Sequence, residues 1–133
     1  MAHLLDTSVA ILLRDGEPEI VDRVDALESR PLLSVVARVE LEGGVYRDPQ
    51  DAALLRERLD LMLAGFDQID FRTEDAVAYG RIVAALGYSR RQIADRMIAA
   101  QAIVAGAILA TLNPRDFQGI PDLQLEDWSA RPA

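Results

Sequence analysis

The chain has no cysteine, no lysine and a single histidine among its 133 residues. The first absence excludes disulfides and thiolate metal sites, so a bound metal would have to be held by oxygen or by His3. The second leaves 14 arginines against 22 acidic residues, a net charge of −8. That balance argues against a nucleic-acid partner held by bulk attraction. A GC-rich genome accounts for arginine in place of lysine, yet arginine is also the side chain that grips phosphate with a bidentate fork. Arg90, Arg91 and Arg96 flank Asp95, while Arg14, Arg38, Arg47 and Arg115 lie close in sequence to Asp6, Glu40 and Asp116.

Long apolar runs are scarce too. The longest, residues 97–112, covers 16 positions without a charge, where a membrane-spanning helix needs about 20. It carries Gln101 and is divided by Gly106, which predicts a buried helix ending near that glycine and a core strand after it. The opening residues 1–6 have no basic region and meet a carboxylate too soon for a signal peptide. A soluble, cytoplasmic protein is expected, forming one domain over residues 1–133 with a core of its own.

Strand and helix signals alternate along the chain. Residues 3–5 read as a short buried strand ending at Asp6, with Thr7 or Ser8 capping a helix through Val9 and Leu13. Gly16 and Pro18 close that helix and open the next, through Val21, Val24 and Leu27. A strand at 32–33 feeds a helix capped by Ser34, carrying Glu40 and stopping at Gly43 and Gly44. Asp48 and Pro49 open an amphipathic helix with Leu54, Leu55, Leu59 and Met62, closed by Gly65. Residues 69–71 read as a strand and 73–86 as a helix ending at Gly87. Ser89 to Gln92 has the spacing of a capping box ahead of the helix that bears Asp95. Residues 107–111 read as a buried strand, Asn113-Pro114 as a turn and 123–125 as a last edge strand. Such alternation implies an α/β fold, a mainly parallel central sheet with helices on both faces, because parallel strands need right-handed crossovers.

The working crevice of such a sheet lies beyond the carboxyl ends of its strands. Asp6 ends the first strand and Asn113 follows the strand closed by Thr111, so both reach that crevice; Glu40 and Asp95 enter from helices. Carboxylates converging from separate segments concentrate charge that a divalent cation neutralises. Asp6, Glu40, Asp95 and the Asn113/Asp116 pair therefore describe a split metal site. Each acid also has an ordinary use: Asp6 as a helix cap, Glu40 as solvated surface, Asp95 as a first-turn carboxylate favoured by the helix dipole. Apolar neighbours set two of them apart, Val39 and Leu41 around Glu40, and Ile93, Ala94, Met97 and Ile98 around Asp95. Thr7, Ser8 and Thr111 are candidate hydroxyls for orienting Asp6 or touching substrate. His3, at the far end of its strand, is read as structural, and Trp128 and Tyr88 as edge packing rather than stacking platforms for bases.

Four motifs, in order, carry a family resemblance. Leu4-Leu5-Asp6-Thr7-Ser8, Ser34-Val35-Val36-Ala37-Arg38-Val39-Glu40-Leu41 with its following glycines, Ile93-Ala94-Asp95-Arg96-Met97-Ile98-Ala99-Ala100, and Ala110-Thr111-Leu112-Asn113-Pro114-Arg115-Asp116-Phe117 resemble a PIN domain of the VapC toxin type. The stretch from Ile120-Pro121 to Trp128 is similar to that family's tail, so the resemblance spans nearly the whole chain. It implies a PIN-like three-layer α/β/α fold and a magnesium- or manganese-dependent endoribonuclease, the toxin of a type II toxin–antitoxin pair. By that resemblance Asp6 and Asp95 are the metal ligands, Glu40 helps to orient the attacking water, and Asn113 or Asp116 completes the site.

The chain departs from the fullest acidic pattern of the family, which places an aspartate where Asn113 stands. An amide ligates through its oxygen but brings no charge. Asp116 either restores that charge or caps the turn beside Arg115. The partners implied are an RNA substrate, a VapB-type antitoxin with a basic tail over the acidic crevice, a second copy in a homodimer, and DNA only through the antitoxin. Helices around 21–27 and 54–63 would offer the antitoxin a groove. Two other classes compete: a phosphotransfer receiver, which wants a lysine this chain lacks, and a PIN-fold interaction module without catalysis, kept open by Asn113.

Overall fold

The computed structural model describes residues 1–129. β1 (His3–Leu5) is the central strand of a five-stranded sheet, flanked by β2 (Leu32–Ser34) and β4 (Ile108–Thr111), with β3 (Asp67–Ile69) and β5 (Gln124–Asp127) at the edges. Every pairing is parallel, Leu4 standing beside Leu32 and Leu109, and Leu5 beside Leu33 and Ala110. Leu4, Leu5, Leu33 and Leu109 are fully buried, as befits strands covered on both faces. The edges differ: β3 and β5 are largely polar and exposed, which discourages pairing with another sheet.

Six helices connect the strands among the described residues. α1 (Thr7–Arg14) and α2 (Pro18–Asp25) lead from β1 to β2, and α3 (Val35–Val45) and α4 (Ala52–Leu63) from β2 to β3. α5 (Thr73–Leu86) and α6 (Ile93–Ala105) then carry the chain back across the sheet to β4. The order runs one way from β1 to β3 and the other way from β4 to β5, so right-handed crossovers place α1 to α4 on one face and α5 and α6 on the other. This is the three-layer α/β/α arrangement. The reversal falls between β1 and β4, the switch point at which such sheets open a crevice. No described helix is long and apolar enough to cross a membrane; Ile98, Ala99, Ala100 and Ala102 of the longest apolar run are buried in the core instead.

Where the elements depart from the sequence reading, a local cause is visible. α1 is capped by Asp6 rather than by Thr7 or Ser8, the Asp6 carboxylate accepting from the Val9 N–H at 3.1 Å. α3 runs through Gly43 and Gly44 to Val45, the buried Leu41 and Val45 outweighing the roughly 1 kcal/mol that a helical glycine costs. α4 starts only at Ala52, because Asp48 closes a turn first, its side chain accepting from the Gln50 N–H at 3.0 Å. The Ser89 capping box does not form; a 3₁₀ turn at Arg90–Gln92 leads into α6 with no side-chain cap. β3 lies two residues before the expected 69–71, and β5 reaches two residues past the expected end. Gly106 does end α6, in the left-handed region at φ 63°.

Candidate active site

Asp6 is the anchor. Its N–H donates to the Ala110 carbonyl at 3.0 Å, extending the β1–β4 ladder by one rung. Its carboxylate, 5% exposed, accepts three hydrogen bonds: Oδ1 from the Ser8 hydroxyl at 2.5 Å and the Val9 N–H at 3.1 Å, Oδ2 from the Thr111 hydroxyl at 2.6 Å. The two hydroxyls are fixed in turn, Ser8 Oγ accepting from the Leu112 N–H at 3.2 Å and Thr111 Oγ1 from the Asn113 N–H at 2.9 Å. One residue thus caps a helix, joins two strands and presents a rigid anion at the switch point.

Glu40 faces the same region from α3. Its Oε1 accepts from the Thr7 hydroxyl at 2.7 Å, which ties α3 to the first turn of α1. The apolar flank expected around it is only half present, since Leu41 is buried but Val39 is 67% exposed. Asp95 enters in the first turn of α6 and is partly buried. Its carboxyl is pushed up from an ordinary 3.8 to about 6, first by burial and then by the negative charges of Asp116, Asp6 and Glu40. Repulsion of that kind requires proximity, so four acids from four segments share one field.

None of those four carboxylates is in an ion pair with an arginine among the described residues. At the fourth corner, Asp116 lies in a 3₁₀ turn at Pro114–Phe117 and its charge reaches Asp95. Asn113, exposed like Asp116, is held through its backbone: its N–H donates to Thr111 Oγ1 at 2.9 Å and its carbonyl accepts from the Asp116 N–H at 3.0 Å.

Among the described residues, no three acidic or imidazole side chains stand close enough together to enclose an ion. Magnesium needs only one or two carboxylates and keeps several of its waters, so the fit rests on Asp6 and Asp95. Buried Asp6 and partly buried Asp95 supply hard oxygen donors, and the raised proton affinity of Asp95 marks a negative field that a divalent cation would relieve. The donor set therefore fits a magnesium or manganese ion.

Gln101, which the sequence offered only as an amide inside a chargeless run, braces the site from below. Fully buried, it accepts from the Ser34 hydroxyl and donates to the Asp70 carbonyl at 3.1 Å, linking α6 to the cap of α3 and the end of β3. Two hollows border α1, one of them lined by Glu40. A pocket of about 300 Å³ between α1 and α3 is lined by Thr7, Glu40, Arg14 and Arg47. An apolar groove of about 330 Å³ lies between α1, α2 and α4, with Leu13, Val24, Leu61, Met62 and Phe66 on its walls. His3 sits at the opposite end of β1, 3.4 Å from Glu126 and beside Trp128. Trp128 is buried with Arg23 over its ring at 5.3 Å, a packing role, whereas Tyr88 is 69% exposed.

A family model for the PIN domain matches residues 3–123. The tRNA(fMet)-specific endonuclease VapC of Salmonella typhimurium is 31% identical over 135 residues, covering 96% of this chain and 98% of that protein. In three dimensions the chain is similar to one from VapBC2 of Rickettsia felis bound to a DNA fragment from its promoter, with a TM-score of 0.87 at 26% identity, over 96% of this chain and 99% of that one. A chain of the DNA-bound VapBC of Salmonella typhimurium gives 0.85 at 27% identity, over 96% and 98%. With its fold matched over nearly its whole length, this chain belongs to the PIN domain family, within the VapC group of that family.

Proposed function

We propose that the chain is a magnesium- or manganese-dependent endoribonuclease, the toxin of a VapB–VapC type pair acting in the cytoplasm. The observation that carries this reading is the gathering of Asp6, Glu40 and Asp116 around Asp95 with no arginine paired to any of them among the described residues, so that burial first and their charges second raise the proton affinity of Asp95. A fold gathers uncompensated charge in this way at a cost to its own stability, which is reasonable where a cation completes the site. The endonuclease name of the Salmonella relative agrees, and makes initiator transfer RNA the first substrate to test.

A divalent cation bound there supplies Lewis acidity and charge neutralisation at the scissile phosphate. The remaining work falls to the chain. Asp6, clamped by Ser8, Val9 and Thr111, gives the ion a fixed oxygen on the rigid side of the site, and Asp95 gives a second from α6. Glu40 has one carboxylate oxygen held by Thr7, leaving Oε2 to accept a proton from water as that water attacks phosphorus. The new P–O bond forms as the P–O3′ bond breaks, and the 3′-oxygen leaves to become a hydroxyl. Asp116 adds the fourth negative charge that Asn113 does not.

The apolar groove beside α1, α2 and α4 suits a helix of a VapB-type antitoxin, with a basic residue of that partner pairing the carboxylates. The Rickettsia and Salmonella neighbours come from DNA-bound VapBC complexes, so in this reading DNA is reached through the antitoxin. A homodimer is part of the same proposal. The test is cleavage of initiator transfer RNA and other structured RNAs by the partner-free protein with magnesium or manganese, and none with chelator. Asp6→Asn keeps an oxygen for the helix cap while removing the charge; wild-type rates in that variant would sink the assignment.

A further inference from the structure

An acidic nuclease must still hold a polyanion, and most of the basic groups whose partners are visible are engaged elsewhere. Arg30 pairs with Asp67, Arg38 and Arg56 with Glu42, Arg96 is buried on the Gly87 carbonyl, and Arg23 lies over Trp128. Arg14 and Arg47 are different, because they line the same pocket as Thr7 and Glu40. Thr7 and Arg14 lie seven residues apart on one face of α1, while Glu40 is on α3 and Arg47 stands two residues past that helix's end. A groove between the two helices therefore runs from an acidic end to an arginine end about 10 Å away, at the α-helical rise.

Arg14 is oriented for the task. Its Nε is occupied by Asp15 at 3.1 Å, its side chain is only 11% exposed, and its Nη1 would lie 3.8 Å from a Cβ on Gly44. That end of the guanidinium borders Gly44, which lines the same pocket, and Arg14 also borders the apolar groove beside α2 and α4. Arg47 is exposed just past the end of α3 and in no ion pair among the described residues. We propose that Arg14 and Arg47 form a subsite for a backbone phosphate of the substrate RNA, next along the strand from the bond cleaved at Glu40 and Asp95. The proposal rests on the ribonuclease reading and adds to it the groove along which the strand lies. Phosphate is the occupant favoured over a carboxylate of a protein partner, because Glu40, the residue assigned to the attacking water, lines the same pocket. A strand crossing both ends would be repelled by one and held by the other, which sets its register.

The test measures binding of a labelled single-stranded oligoribonucleotide to the full chain in chelator, and separately kcat and KM for cleavage with magnesium. Arg47→Ala and Arg14→Ala are each expected to weaken binding about tenfold and to reduce the slope of log affinity against log salt by about 0.7, one single-strand phosphate contact. KM should rise by the same factor with kcat within about twofold. Arg47→Lys should recover part of the loss, keeping charge without the fork. Gly44→Met, which retains both arginines and covers Arg14, should weaken binding as well. Unchanged salt slopes in both alanine variants, with circular dichroism showing them folded, would overturn the subsite. Weakened binding of an antitoxin alone, with RNA binding intact, would overturn it too. If the wild type cleaved no RNA but its oligonucleotide binding lost this slope in Arg47→Ala, the catalytic reading would fail while the subsite stood.

Discussion

Glu40 and Glu42 lie two residues apart on α3 and live in opposite fields. Glu40 has a threonine hydroxyl for company and adds to the repulsion that pushes Asp95 up to about 6. Glu42 is clamped by Arg56 through both oxygens, at 2.5 and 3.1 Å, and by Arg38 at 3.1 Å, and those guanidiniums hold its carboxyl down at about 2. The Glu42–Arg56 pair fastens α3 to α4, and Arg56 is steadied by Asp60 at 2.7 Å one turn along its own helix. One helix thus carries two carboxylates in opposite settings: neutralised where Glu42 holds the fold, left uncompensated at Glu40, where the proposed function needs it. Uncompensated acids weaken the fold and are kept for another reason.

Asp95→Asn breaks the comparison most sharply. RNA cleavage should fall by a factor on the order of a thousand, several kcal/mol of transition-state stabilisation, measured as kcat/KM with magnesium. The same variant should make the metal-free chain more stable, by about 2 kcal/mol at pH 7 in urea unfolding with chelator. The direction follows from linkage: the folded chain retains the Asp95 proton up to about 6, whereas an unfolded aspartate loses it near 3.8. Stability is therefore lost as pH rises between those values. The gap between Asp95→Asn and wild type should open from pH 4 to 6 and stay constant above, and magnesium should close it.

Next in size, Asp116→Asn should cut cleavage about tenfold and lower the pH at which Asp95 takes up its proton, while Asn113→Ala stays within about twofold. Equal effects at the two positions would put the fourth corner back in question. Thr7→Val leaves Glu40 without its hydroxyl partner and should lower kcat severalfold to tenfold, with thermal stability nearly unchanged. The smallest effect belongs to the other face of α3. Glu42→Gln should cost about 1 kcal/mol, because the pair is partly exposed, with cleavage intact. Its loss has the opposite pH sign: the Glu42 contribution is present above 4.5 and disappears as pH falls toward 2.

Much of this was legible in the sequence, for identifiable reasons. Inner strands leave short apolar stretches, Leu4-Leu5, Leu32-Leu33 and residues 108–110, so β1, β2 and β4 could be placed, and Gly106 marked the end of α6 by a backbone angle that suits glycine. Edge strand β3 left no such mark, being mostly polar and exposed. The glycines of α3 misled because tertiary packing, not local propensity, decides whether a helix continues. Asp6 and Asp95 stood out in the sequence by their places at element ends, and Glu40 by its apolar neighbours, only one of which, Leu41, is buried. Asp116 against Asn113 depended on how a 3₁₀ turn swings its side chains, and Gln101 and Arg56 on partners far away in sequence, neither of which periodicity records.

The hydrogen bond from Thr111 to Asp6 joins residues 105 positions apart. Parallel pairing of β1 with β4 cannot precede the synthesis of β4, and contacts of such sequence separation form late. A nascent or truncated chain carrying Asp6, Glu40 and Asp95 but ending short of Thr111 has the acids without their frame. On the ribonuclease reading, the protein is inert throughout its own translation and turns active in one final step, so an inhibitor has the whole time of making one chain in which to arrive first.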